Sequence, residues 1–219
     1  VADEQEFTTK QILQNLWAVS WWKLNGNAND EIGGNNGIAY GGVNCNVDGK
    51  FGKACEFDGV NDYINILDLS STINPTKAFT VQLWAKVSDV SPDRIVFSVG
   101  LYPNQRGFII NFHGGTLYLS KAGINNYAAS TNPYTINTWY HVIAIYKGNG
   151  LGADLYLNGV KQTTTAFTTN FDTATTSSIG RLDKTTTDAF FNSVIDEVMI
   201  FNKTLTEKQV NSLYNLNLN

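Results

Sequence analysis

Four sets of residues in this chain of 219 could do chemistry. Residues 25–37, NGNANDEIGGNNG, are almost wholly Asn, Asp and Gly, a composition shared by linkers, phosphate loops and metal-binding loops. Asp196 and Glu197 stand side by side in VIDEVMIF and raise the question of a catalytic carboxylate pair. The two histidines, His113 in GFIINFHG and His141 in TWYHV, are candidate bases. Cys45 and Cys55 flank the turn VDGKFG and are candidate disulfide partners or thiols.

Each can be tested against the spacing its chemistry demands. A phosphate loop must run from a strand into a helix N-terminus, where backbone N–H groups face the anion. The Asn/Gly loop runs instead into IAYGGVN, which is short and rich in turn residues. An EF-hand needs Gly at position 6 and Glu at position 12. Asn25, Asn27 and Asn29 mimic the first three ligands, but Asp30 and Asn36 occupy the Gly and Glu positions. Adjacent residues of a strand point to opposite faces, so Asp196 and Glu197 are not expected to enter one cleft together. His141, in mid-strand, reads as a structural histidine with its hydrogen bonds satisfied. No G-x-S-x-G or G-x-x-x-x-G-K-[ST] motif is present,. Two thiols on facing strands of a hairpin reach disulfide distance, closing a loop of about ten residues worth roughly 2–3 kcal/mol. The alternative is two buried free thiols, and two histidines leave no zinc site.

The elements that must position these groups are short. Apolar runs such as KACEFDG, FTVQLWAKV, GFIINFHG, WYHVIAIYKG, ADLYLNG and VIDEVMIF are separated by Gly, Asn, Asp and Pro,. Phe79, Val81, Leu83, Ala85 and Val87 alternate with Thr80, Gln82, Trp84 and Lys86, the period of an antiparallel sandwich strand. Asn158-Gly159 predicts a hairpin turn. FTTKQILQNLW places Ile12, Leu13, Leu16 and Trp17 at helical spacing, with Thr8 or Thr9 as cap. LTEKQVNSLYNLN predicts a second helix with Thr206 and Gln209 at capping-box spacing and Leu205, Val210, Leu213 and Tyr214 on its buried face.

Composition narrows the function classes. Charged residues make up 16% of the chain, aromatic residues 12%, and the formal net charge is −4. Without a run of Lys or Arg there is nothing to neutralise a nucleic-acid backbone. No apolar stretch reaches the ~20 residues of a membrane helix. A surface made polar by amides and hydroxyls suits an extracellular β-protein.

The order of WWKLNGNANDEIGGNNG, GKFGKACEFDGVNDYINI, AFTVQLWAKV, NTWYHVIAIYKG, DLYLNGVKQ, SSIGR and VIDEVMIFNKTLTEKQVNSLY resembles that of a LamG-like domain. This is the laminin-G/pentraxin-like branch of the concanavalin A-like lectin/glucanase fold. The resemblance implies an all-β, two-sheet antiparallel jelly-roll sandwich of six or seven strands per sheet, with short N- and C-terminal helices and the IDEV strand beside the N-terminal one. It places an N-terminal helical or linker segment at 1–18 and the domain at 19–219. Trp22, Trp84 and Trp139 then read as core. The glucanases of this fold carry an E-x-D-x-x-E pattern that is missing here, and its lyases surround a His with Tyr, Arg and Gln that His113 lacks. The resemblance also implies a structural Ca²⁺, held by Asp30, the backbone around Gly33 and Asn36, and Asp196. Asp89 and Asp93 in SDVSPD are a lesser candidate for a second calcium ion.

Sugar recognition pairs an aromatic face with amide or charged hydrogen-bonding groups. Tyr102, Asn104, Gln105 and Arg106 offer this together, as do Asn125, Asn126 and Tyr127, with Tyr134 nearby in sequence. The reading is a non-catalytic module at the cell surface or outside the cell, binding glycan or a protein partner in adhesion. The alternatives are a subunit of a surface filament, self-associating through the N-terminal segment, and a divergent polysaccharide hydrolase or lyase.

Overall fold

The computed structural model describes residues 2–66, 68–90, 93–102, 107–121, 125–164, 171–173, 175–184, 189–216 and 218. Helix α1 (Ala2–Asn15) leads into β1 (Ala18–Trp22), β2 (Gly37–Tyr40), β3 (Asn44–Asp48), β4 (Lys53–Asp58) and β5 (Tyr63–Ile66). The middle of the chain forms β6 (Phe79–Val87), β7 (Arg94–Val99), β8 (Leu101–Tyr102), β9 (Phe108–His113), β10 (Thr116–Lys121), β11 (Asn125–Ala129) and β12 (Trp139–Tyr146). There follow β13 (Ala153–Leu157), β14 (Val160–Lys161), β15 (Thr163–Thr164), β16 (Ser177–Ile179), β17 (Arg181–Lys184), β18 (Ala189–Phe190), β19 (Asn192–Phe201) and α2 (Glu207–Tyr214).

Two eight-stranded antiparallel sheets form the sandwich, a wider pair than the six or seven strands expected. The first runs β14-β13-β12-β6-β19-β4-β3 with β1 paired to β19, and the second runs β15-β11-β10-β9-β7-β16-β5-β2. A small sheet, β18-β17-β8, adds one parallel pairing between β17 and β8. The alternation in β6 decides which side faces in. Phe79, Val81, Leu83, Ala85 and Val87 join the main core with Phe97, Phe108, Phe112 and Ile110 from the second sheet.

The other face of the first sheet is covered as well. Leu13, Trp21, Ile143, Ile145, Tyr156, Met199, Val210 and Leu213 form a second core there, under α2 and the N-terminal segment. This cover explains why Trp84, on the outward face of β6, is buried all the same. Trp22 is buried, but Trp139 is not core: it is half-buried, with the Lys86 ammonium 5.2 Å from its ring centre.

Local signals account for several boundaries. Asn158 (φ 50°) and Gly159 (φ 77°) supply the two positive angles of a type I′ turn between β13 and β14,. Thr206 and Gln209 form the capping box of α2, and Val210 and Leu213 are buried beneath it. Helix α1 departs from expectation. It starts at Ala2, so Thr8 and Thr9 lie within it, and of the four apolar residues predicted to pack only Leu13 is fully buried. Ile12 (42% exposed) and Trp17 (52% exposed) face outward; Trp17 leaves the helix with φ 65° and lies under the Lys203 ammonium.

Candidate functional site

The Asn/Gly loop folds around Asp30. Its Oδ1 accepts N–H bonds from Trp21 (2.8 Å), Ile32 (3.0 Å) and Gly33 (3.0 Å), and its Oδ2 accepts from the backbone and side-chain nitrogens of Asn35 (3.0 and 3.2 Å). Asn36 returns the favour by accepting the Asp30 N–H at 2.9 Å. Burial pushes the Asp30 carboxyl up, but the N–H groups of Gly33, Trp21, Ile32 and Asn35 outweigh it and hold the pKa below the ordinary value. Asp30, Gly33 and Asn36 are therefore brought together. Asp196 makes its bonds elsewhere, accepting the N–H groups of Lys50 (2.8 Å) and Phe51 (3.0 Å) through Oδ2. A calcium ion needs lone pairs from six to eight oxygens, whereas those of Asp30 already point at donor hydrogens. The expected ligand set does not fit the ion in this geometry. Asp89 is likewise committed, to Arg94 (2.6 and 3.0 Å) and Asn192 (3.0 Å). Asp93 bonds the half-exposed His113 ring at 3.2 Å.

Asp196 and Glu197 do not point to opposite faces. A bulge between Asp196 and Met199, with Glu197 at φ 53°, breaks the alternation,. Asp196 pairs with Trp84 on the outward face, and Glu197 accepts the Trp21 indole N–H at 2.5 Å in the same outer layer. Both carboxyls are completely buried, and Asp196 Oδ1 and Glu197 Oε1 lack hydrogen-bond partners. His141, cross-strand from Trp84, is also fully buried, its ring 4.9 Å from Trp84 and 5.6 Å from Tyr214. Neither of its ring nitrogens has a partner, so it is a structural histidine but not a satisfied one. Burial first, then the Lys50 charge, pushes its pKa down to about 3.

A third feature lies at one lateral edge of the sandwich. There the chain crosses between sheets twice, from β2 to β3 and from β4 to β5. Beside these crossings is a hollow of about 440 Å³, lined by Gly41, Asn44, Glu56, Asp58, Asp62 and Asn192 among others. Asp58 Oδ1 accepts the N–H groups of Val60, Asn61 and Asp62, and Asp62 Oδ2 accepts that of Asp58 at 3.1 Å. These reciprocal bonds fix the turn. Gly41, at φ 86°, allows the other crossing to press against it, since a Cβ there would stand 2.5 Å from Asp62 Oδ1. Asp62 is 5% exposed; burial, and then the charges of Asp58 and Glu56, raise its pKa. Tyr40 directly precedes Gly41 and Tyr63 directly follows Asp62. Their rings stack at 4.9 Å and 10°, with the Arg181 guanidinium 3.7 Å from the Tyr63 ring centre and Phe190 6.4 Å away.

The family described as the Concanavalin A-like lectin/glucanases superfamily matches residues 58–211, more than half of the chain. The chain belongs to that superfamily. Domain 4 of AbnA, a GH43 extracellular arabinanase from Geobacillus stearothermophilus solved with arabinotriose, is 20% identical over 90% of this chain and 98% of that one, with a TM-score of 0.74. A binding domain of botulinum neurotoxin DC in complex with rat synaptotagmin II is 20% identical over 92% and 52%, with a TM-score of 0.67. A Trypanosoma rangeli sialidase mutant displaying trans-sialidase activity is 12% identical over 90% and 32%, with a TM-score of 0.69. At these identities the structures establish the shared superfamily fold. Sequence comparison with curated proteins finds no match.

Asn104 and Arg106 lie outside the described residues, while Tyr102 falls in β8 and Tyr127 in β11, on different sheets. Tyr134 is buried against Phe112 and donates its hydroxyl to the Asp89 carbonyl. Cys45 and Cys55 are joined in a disulfide. Sequence reasoning missed the lateral hollow, because DGVND and YGGVN read as turns and nothing local says that two turns meet. The one available signal was the aromatic residue at the end of each, Tyr40 and Tyr63.

Proposed function

We propose that this superfamily member is a non-catalytic glycan-binding module, and that the lateral hollow beside Tyr40 and Tyr63 is its combining site. The observation that carries the reading is a hollow of carboxylates and amides whose lining residues Gly41 and Asp62 directly adjoin, along the chain, the stacked Tyr40 and Tyr63. Sugars present apolar C–H faces that pack on aromatic rings and hydroxyls that need directed acceptors and donors. The hollow's volume lies within the ~300–1,000 Å³ typical of small-ligand sites.

Several further observations support it. The one adjacent carboxylate pair in the returning strand is sealed under Trp21, out of reach of any polysaccharide. The arabinanase domain solved with arabinotriose has this fold along nearly its whole length. An extracellular or cell-surface setting belongs to the same proposal, and the Cys45–Cys55 disulfide suits an oxidising compartment,.

Calorimetric titration against a panel of oligosaccharides tests the reading. Binding that Tyr40→Ala weakens, with no turnover of the bound glycan, supports it; reducing-end release by the protein would sink the non-catalytic part. A second reading, docking on a protein neighbour through the N-terminal segment, is favoured by the exposed Ile12 and Trp17. It requires self-association or partner binding that disappears on deletion of residues 1–17.

A further inference from the structure

We infer that the lateral hollow selects glycans that present hydrogen-bond donors, hydroxyls or an ammonium, and rejects those bearing carboxylate or sulfate; the inference rests on the glycan-binding reading above. Its walls are rich in acceptors that nothing in the protein engages. Among the described residues, the Glu56 side chain has neither a hydrogen bond nor an ion pair. Asp62, almost wholly buried, spends Oδ2 on the Asp58 N–H and leaves Oδ1 unbonded beside Gly41 and Gly42. Asp58 bonds the turn through Oδ1, leaving Oδ2 for a ligand.

No Lys or Arg lines the hollow among the described residues. The Arg94 guanidinium, near Gly59, is held by Asp89 in a two-bond pair and by the Phe190 carbonyl, and that of Arg181 lies on the Tyr63 ring. The Asn192 amide donates to Asp89 as well, which leaves Asn44 as the lining amide free to donate inward. A ligand carboxylate would meet three like charges with no cation in the lining to offset them, whereas vicinal hydroxyls or an ammonium would satisfy the buried Asp62 and the exposed Glu56 and Asp58,. A metal ion is a poorer complement, because no three His, Cys, Asp or Glu among the described residues are arranged to hold one. The Tyr40–Tyr63 stack, exposed at Tyr40, adjoins the lining residues Gly41 and Asp62 along the chain and offers an apolar face.

The test is an affinity series with three arms: neutral, amine-bearing, and carboxylated or sulfated oligosaccharides, each with and without chelator. The whole chain and Glu56→Lys are compared, since Glu56 is exposed and without bonds and its replacement leaves the fold intact. The wild type is expected to bind a neutral or amine-bearing arm and not the acidic one, with or without chelator. Glu56→Lys should weaken that binding by about tenfold or more, the loss expected for a charge-assisted hydrogen bond, and should admit acidic glycans. Preference of the wild type for the acidic arm overturns the selectivity while leaving glycan binding intact. Binding abolished by chelator overturns direct recognition by these carboxylates. Silence in all three arms, with an unchanged melting curve, overturns the glycan-binding reading itself, and capture of a Lys-rich peptide in its place assigns the hollow to a basic protein segment.

Discussion

The indole N–H of Trp21 and the carboxylate of Glu197, 176 residues apart in sequence, meet at 2.5 Å with neither side chain reaching solvent. This bond ties β1 to the bulge of β19 at the point where alternation fails. Among the described residues it is the sole hydrogen bond of the Glu197 carboxyl, whose pKa is raised well above the ordinary value by burial and then by the neighbouring Asp196 charge. Trp21→Phe keeps most of the packing and removes the donor. A loss of about 1–3 kcal/mol in denaturant unfolding is expected, the cost of a buried polar group left without its partner. Glu197→Gln should cost less, since an amide oxygen still accepts the indole N–H. Equal stability of Trp21→Phe and wild type would show that the bond contributes nothing.

Two buried groups in the same layer give stability opposite dependences on pH. His141 is depressed from 6.5 to about 3, so in that window the unfolded chain binds a proton that the folded chain refuses, and stability falls as pH falls,. Asp196 is raised from 3.8 to about 7 by burial, against the N–H groups of Phe51, Lys50 and Glu197. There the folded chain keeps the proton, and stability falls as pH rises. Each effect is on the order of 4 kcal/mol over its window. Lys50, whose ammonium stands 4.5 Å from the Trp84 ring centre, and Lys23 and Glu197 are the other charges acting on the layer. Glu197, also raised by burial, adds to the Asp196 side, so the wild-type stability should fall as pH rises between about pH 4.5 and 6.5,. His141→Phe should steepen that fall, and Asp196→Asn, which leaves Glu197 opposing His141, should flatten it,. Parallel profiles in the two variants would refute the assignment.

Asp30 closes its loop with five N–H bonds, the work first expected of a metal ion. Asp30→Ala strands donors from residues 21, 32, 33 and 35, and a loss of about 2–4 kcal/mol is expected. That loss should be the same in the presence and absence of chelator. A wild-type melting temperature that drops on chelation, with Asp30→Ala insensitive to it, would restore calcium to this loop.

What the sequence disclosed was whatever is decided by near neighbours. The alternation from Phe79 to Val87, the Asn158-Gly159 turn and the Thr206–Gln209 capping box each depend on residues within a few positions, and each formed as read. The bulge at Glu197 was not legible, because its cause is tertiary: Trp21 and the 50–51 turn claim adjacent carboxyls that a regular strand would send apart. His141 misled for a related reason. Its environment is made by Trp84 and Tyr214, which arrive from β6 and α2, and both bring ring faces where a hydrogen-bonding partner was assumed. The hollow escaped notice because Asp58 and Asp62 carry ordinary turn signatures, and their second role exists only where the two crossings meet.

The stacked tyrosines separate binding from folding more cleanly than any of these buried groups. Tyr40 is 43% exposed and its ring rests on Tyr63, so Tyr40→Ala removes an aromatic pair worth about 0.5–1.5 kcal/mol beyond its area and opens no core cavity,. Unfolding should shift by no more than that amount. Glycan affinity should fall about tenfold, because the face on which a sugar would pack is gone. Tyr40→Phe keeps that face and should bind within about twofold of the wild type, a change of roughly 0.4 kcal/mol. If Tyr40→Phe and Tyr40→Ala lose affinity alike, the tyrosine hydroxyl and not the ring is the contact; if neither loses any, the mouth of the site lies away from this stack.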